Sequence, residues 1–221
     1  MSGWQTWLHH PERSSMRNAI FQIHLWVGAV ASMYVLVMSI SGSIIVYRNT
    51  LAIRFPSTER LVKLHTNLGF GPMGRLVNGI GAIGVTGICL TGAVIWWPGI
   101  KHWRRSLTVN WSANFPRISW DLHSALGFWC FLFVLEWGVS AVYFSFPRLF
   151  DSVYVVDPKD RFADRALYWL SQLHFGRFGW LAEAVWSLMG LVLALLAFTG
   201  VFICCRRMIY HKPSNPKAES D

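Results

Sequence analysis

Four of the eight histidines stand at spacings that repeat. His24, His65 and His123 are each followed four residues later by a glycine: Gly28, Gly69 and Gly127. His174 departs from this, with Gly176 and Gly179 at its second and fifth following positions. More distant spacings also match. His24 precedes Gly42 by 18 residues and His123 precedes Ala141 by 18, while His65 precedes Gly92 by 27 and His174 precedes Gly200 by 26. Neutral imidazole carries a proton or binds a metal, so paired histidines offer both chemistries. The four cysteines, Cys89, Cys130, Cys204 and Cys205, make no C-x-x-C or C-x-x-C-H pattern. A disulfide framework, a zinc site and covalent c-type haem attachment are therefore not expected.

The elements that must carry these histidines are apolar. The chain is 53% hydrophobic and 14% charged, whereas a soluble domain carries about 25% charged residues. Four uncharged stretches are each long enough to span a bilayer: between Arg17 and Arg48, Arg75 and Lys101, Asp121 and Arg148, and Glu183 and Arg206. Glu136 is the sole charge inside the third. No stretch alternates as a membrane β-strand would. The expectation is an all-α, four-helix transmembrane bundle over residues 1–210, contacting membrane lipids, followed by a flexible cytoplasmic tail at 211–221. The net charge of +9 comes from residues at the ends of apolar runs, which excludes a nucleic-acid partner. The basic clusters "KHWRR" and "CCRRMIYHK" follow the second and fourth spans and place both termini in the cytoplasm. The segment "FADRALYWLSQLH" reads as an amphipathic helix on the membrane surface.

The spacings make spans one and three equivalent, and likewise two and four, so the bundle is read as a duplicated helical hairpin. His24 and His123 then lie at equal depth in one leaflet, and His65 and His174 in the other. Facing imidazoles in a bundle core suit haem iron. The expected cofactors are two haem b, one on His24 and His123 and the other on His65 and His174. Gly28, Gly69 and Gly127 clear space for a flat macrocycle. Arg75 and Arg177 near the outer pair, and Arg17 and Arg117 near the inner, are candidates for haem propionates, against snorkelling to lipid headgroups. Glu136 is a candidate proton or quinone site, against a neutral, hydrogen-bonded glutamate. A single membrane histidine is more often an interfacial or packing residue. Four at matching positions in a repeat argue for ligation.

The strings "IHLWVG…SGSIIVYR", "LHTNLGFGPMG…TGAVIWWPG", "WDLHSALGFW" and "LHFGRFGW…TGVFICCRR" resemble the PepSY-associated transmembrane helix family across most of residues 17–207. That resemblance implies a bacterial inner-membrane protein linked to iron uptake, with b-type haems in a four-helix core. Some members of the family are ferric-siderophore reductases. Many also carry large periplasmic domains between helices, for which the loops here are too short. The functional expectation is thus a di-haem cytochrome that moves electrons across the inner membrane as a subunit, exchanging them with a redox protein partner or quinone. A stand-alone ferric-siderophore reductase and a haem-free assembly or transport protein are the alternatives.

Overall fold

The computed structural model describes residues 3–48, 58–151 and 161–210. The expected tail at 211–221 lies outside them. Among the described residues the ordered elements are helices, with no strand. Nine are α-helices: α1 (Gly3–His9), α2 (Ser15–Ile45), α3 (Thr58–Asn67), α4 (Gly71–Trp96), α5 (Phe115–Trp129), α6 (Phe131–Ser145), α7 (Pro147–Asp151), α8 (Arg161–Phe175) and α9 (Trp180–Tyr210). Helices α2, α4 and α9 are each long and apolar enough to cross a membrane. α5 and α6 together make a fourth span, bent by 66°.

Local chemistry sets the helix ends. Ser14 Oγ accepts the Arg17 amide at the start of α2, and Asn114 Oδ1 accepts the Arg117 amide at the start of α5. These side chains satisfy amide groups that a helix N-terminus leaves without partners. Arg17 and Arg117 thus each stand three residues after a cap, as the duplication requires. Helix α3 stops at Leu68 and Gly69, both with positive φ. Helix α8 stops at Gly176, with φ of 62°. Both histidine-bearing segments are thereby cut from the spans that follow them. Helix α4 ends where Trp97 turns extended before Pro98.

The spans close into a ring. Helix α2 packs most extensively on α9 and next on α4. The bent span joins the other two, with α5 against α9 and α6 against α4. An unbroken third helix was expected; the structure divides it at Cys130, whose φ of −96° and ψ of 2° leave the α region. The bend lets one span lean on α9 at one end and on α4 at the other. Small residues permit the close approaches. A Cβ at Gly190 of α9 would overlap Ser43 of α2, and one at Gly138 of α6 would meet Thr86 Oγ1 of α4 at 2.5 Å.

The ring is polar inside and apolar outside. Ser39, Ser41, Ser43, Asn78, Ser140 and Thr199 are buried. Val30, Ile80, Leu132 and Phe198 are exposed. Apolar surface on this scale around several long helices is a lipid-facing surface. The protein is a multi-pass membrane protein in contact with lipid. Helix α1 folds back onto the end of α4: Trp97 Nε1 and the Ile100 amide both donate to the Leu8 carbonyl, at 3.4 and 3.2 Å. The start of α2 and the end of α4 therefore share one face of the bundle.

Candidate functional site

Each of the four histidines reaches across to a neighbouring span and is gripped there in the same way. His24 on α2 donates from Nδ1 to Thr91 Oγ1 and the Ile88 carbonyl of α4, both at 3.1 Å. His123 on α5 donates to Thr199 Oγ1 at 3.1 Å and the Leu196 carbonyl at 3.0 Å, both on α9. His65 on α3 meets Ser41 Oγ of α2 at 3.0 Å. His174 on α8 meets Ser140 Oγ of α6 at 2.6 Å.

The residue after each hydroxyl is small: Gly42, Gly92, Ala141 or Gly200. A Cβ on Gly42, Gly92 or Gly200 would stand 3.0, 3.1 and 3.1 Å from Cε1 of His65, His24 and His123 respectively. Each grip is therefore a hydroxyl residue that holds the ring, followed by a small one that admits it. Helices α2 and α4 hold each other's neighbouring histidines in the first hairpin. Helices α6 and α9 do the same in the second.

The hydrogen bonds fix the tautomer. The Ile88 and Leu196 carbonyls can only accept, so the Nδ1 atoms of His24 and His123 carry the hydrogen. Ser41 and Ser140 spend their own hydroxyl hydrogens on the Val37 and Glu136 carbonyls, at 2.6 and 2.7 Å. They therefore accept from His65 and His174. Among the described residues every hydrogen bond to these four rings falls on Nδ1 and leaves the Nε2 lone pair free, the arrangement by which a second partner orients and sharpens a metal-binding imidazole. His65 and His174 lie on the surface helices outside the spans. Burial pushes the first down to about 4. Burial, with the neighbouring His65 adding to it, pushes the second down to about 3. Both rings are held neutral, the form that binds metal.

The histidines fall into two pairs. The rings of His24 and His123 stand 6.3 Å apart between centres, with planes at 80°. A metal held by two opposed imidazole nitrogens at ~2 Å needs ring centres about 6 Å apart. His65 and His174 line one cavity of about 500 Å³ at the other end of the bundle. Its wall includes Gly42, Ser39, Tyr34, Asn78, Arg48 and Glu183. The Ser39 hydroxyl there is buried without a hydrogen-bond partner, an unusual cost inside a protein. Among the described residues no cluster of three or more His, Cys, Asp or Glu could hold a bare metal ion.

The remaining expected residues are placed as follows. Arg75 and Arg177 line the outer cavity, and Arg177 also lies over the Phe175 ring at 4.6 Å. Arg17 donates to the Ile95 carbonyl at 2.8 Å, and Arg117 pairs with Asp121 at 3.0 Å. These two inner arginines are thus already engaged within the protein. Gly28 and Gly127 have open space where a Cβ would point. Gly69 is likewise open, and its φ of 79° ends α3. Glu136 sits on α6, one turn before Ser140, with Oε1 buried and unpartnered. It is not among the residues lining the outer cavity. The reading of the sequence missed Ser41, Thr91, Ser140 and Thr199. Their signal was present as S-G, T-G, S-A and T-G at corresponding repeat positions.

A sequence model of the PepSY-associated TM region matches residues 49–159 and 151–207. The chain belongs to this family. The two overlapping matches cover three of the four spans and three of the four histidines, leaving His24 before them. No curated protein and no solved structure matches this PepSY-associated chain. Its histidine grips therefore stand on their own geometry.

Proposed function

We propose that this protein is a di-haem b-type cytochrome that carries electrons across the bacterial inner membrane as the membrane subunit of a redox system. The observation that carries this reading is the fourfold grip, which turns every Nε2 lone pair free while Nδ1 is held on a neighbouring helix. An imidazole held in this way at Nδ1 presents Nε2 as the nitrogen that can ligate a metal.

The residues fit two haem groups. His24 and His123 would hold one through Nε2, at the face where α2 and α5 begin. His65 and His174 would hold the other, at the opposite face. When bound, such a haem would supply reversible one-electron chemistry. The chain's own part is to fix both rings, to admit them with Gly42, Gly92, Ala141 and Gly200, and to keep water out with an apolar exterior. Arg48, Arg75 and Arg177 offer positive charge to acidic groups at the outer cavity. The Ser39 hydroxyl on that wall is buried and has no hydrogen-bond partner among the described residues.

Electrons enter or leave through a redox protein partner, with quinone as the small-molecule alternative. The chain between α2 and α4 and between α6 and α9 holds the helices α3 and α8 that present His65 and His174. These connections leave too little chain for a separate substrate domain, since fewer than ~40 residues rarely fold alone. This favours a partner over direct reduction of a ferric siderophore. The test is a pyridine haemochrome assay on the purified protein. Two non-covalent haems per chain support the reading, and an intact protein that binds no haem when expressed with ample haem ends it.

A further inference from the structure

We propose that Asn78 and Trp186 are equivalent positioning residues, each fastening the surface helix that presents an outer histidine. This rests on the di-haem reading for its purpose, though not for its geometry. Asn78 lies in α4, 14 residues before Gly92, and Trp186 lies in α9, 14 residues before Gly200. They occupy the same place in the duplicated hairpin.

Both donate to the last turn of the helix that precedes their own. Asn78 Nδ2 donates to the carbonyls of His65 at 3.1 Å and Thr66 at 3.2 Å. Trp186 Nε1 donates to the carbonyl of Leu173, the residue before His174. The His65 and Thr66 carbonyls sit where α3 runs out of its own amide donors, whereas the Leu173 carbonyl also accepts from the Gly176 amide at 3.3 Å. At the end of α3, Gly69 N passes over the nearer carbonyls and binds that of Lys63 at 3.3 Å. The His65 and Thr66 carbonyls are thereby left for Asn78. At the end of α8, Arg177 N reaches back five residues to Gln172 at 3.1 Å, where Gly69 N reaches back six. Trp186 closes that turn, and Gly176 makes it possible, since a Cβ there would meet the indole at 2.8 Å.

The Asn78 amide is completely used. Its Oδ1 accepts from Tyr34 Oη at 2.7 Å, and the residue is 7% exposed. An amide buried in a membrane span is costly unless each polar atom is paired. Here the pairing binds α2, α3 and α4 together beside a candidate ligand. With Ser41 on the ring and Asn78 on the backbone, His65 is held at both ends. Ser140 and Trp186 hold His174 in the same two ways. The inner histidines need no such fastener, because His24 and His123 lie within the spans themselves.

The experiment compares Asn78→Ala and Trp186→Phe with the parent in the full chain. Trp186→Phe keeps an aromatic ring but removes the donor together with part of the indole's volume. Hydrogen exchange on the haem-free protein reads the fastening directly. Asn78→Ala should speed exchange in α3, and Trp186→Phe in α8, each roughly tenfold for the loss of one or two hydrogen bonds. In the haem-loaded protein the same two variants should alter the EPR signal of the outer haem and leave that of the inner haem unchanged. Unchanged exchange in both α3 and α8 overturns the proposal, as does an equal change in both haem signals. If Asn78→Ala yields no folded protein, Trp186→Phe decides alone. A chain that binds no haem but shows the local exchange changes would refute the di-haem reading and uphold the fastening.

Discussion

Replacing Ser140 with alanine should loosen the outer haem more than any other single hydroxyl deletion loosens either haem. Three grips have a carbonyl to spare, and among the described residues this one does not. His24 retains the Ile88 carbonyl if Thr91 is changed, and His123 retains that of Leu196 at 3.0 Å if Thr199 is changed. His65 has the Met38 backbone beside Ser41. For His174 the Nδ1 partner is Ser140 Oγ at 2.6 Å, on a side chain with 0% exposure. Ser140→Ala leaves a buried N–H without an acceptor, at a cost of about 1–3 kcal/mol. Losses of this kind behind a metal ligand weaken retention by roughly 10–100-fold. Thr199→Val keeps the shape and one acceptor, so the effect there should stay below about tenfold. The assay is transfer of haem to an excess of a haem-scavenging protein, followed in the visible spectrum as two phases. Ser140→Ala should speed one phase and leave the other at the parent rate. A parent-like rate for the Ser140 variant, or a larger effect from Thr199→Val, would refute the idea that these hydroxyls hold the ligands.

His24→Ala and His123→Ala should each remove the same half of the bound haem, and His65→Ala and His174→Ala the other half, as read by the haemochrome assay and redox titration of each variant. Gly200→Val should abolish the inner haem because its Cβ would already stand 3.1 Å from His123 Cε1. Gly200→Ala should retain most of it, since Ala141 serves at the matching position in the His174 grip. Joint replacement of Arg75 and Arg177 by glutamine should lower the midpoint potential of the outer haem and spare the inner one, because loss of nearby positive charge favours the oxidised iron. Potentiometry with optical detection checks this.

The spans were legible because charge is nearly absent from them, and the duplication was legible because spacing survives in sequence. Glycines at 69, 71, 176 and 179 announced the breaks before α4 and α9, since positive φ at these positions suits glycine alone. The bend at Cys130 was not legible. No proline or glycine stands there, and the break follows from α5 and α6 leaning on different neighbours. The spacing of the histidines was legible, but their grips were not. Thr91 is 67 residues from His24, and Thr199 is 76 from His123. A contact at that range depends on the register between helices, which a single sequence does not display. The arginines divided for the same reason. Arg117 found Asp121 one turn away, Arg17 found a carbonyl on another helix, and Arg75 and Arg177 remained at the cavity.

The central claim is that two pairs of opposed imidazoles each hold one haem iron. EPR spectroscopy of the oxidised, purified protein tests it most directly. Two low-spin ferric signals and no high-spin haem are expected. The inner signal should be strongly anisotropic, because ligand planes near the 80° seen between His24 and His123 leave two iron d-orbitals almost equal in energy. A high-spin haem signal, a single low-spin centre per chain, or no haem signal at all would contradict it.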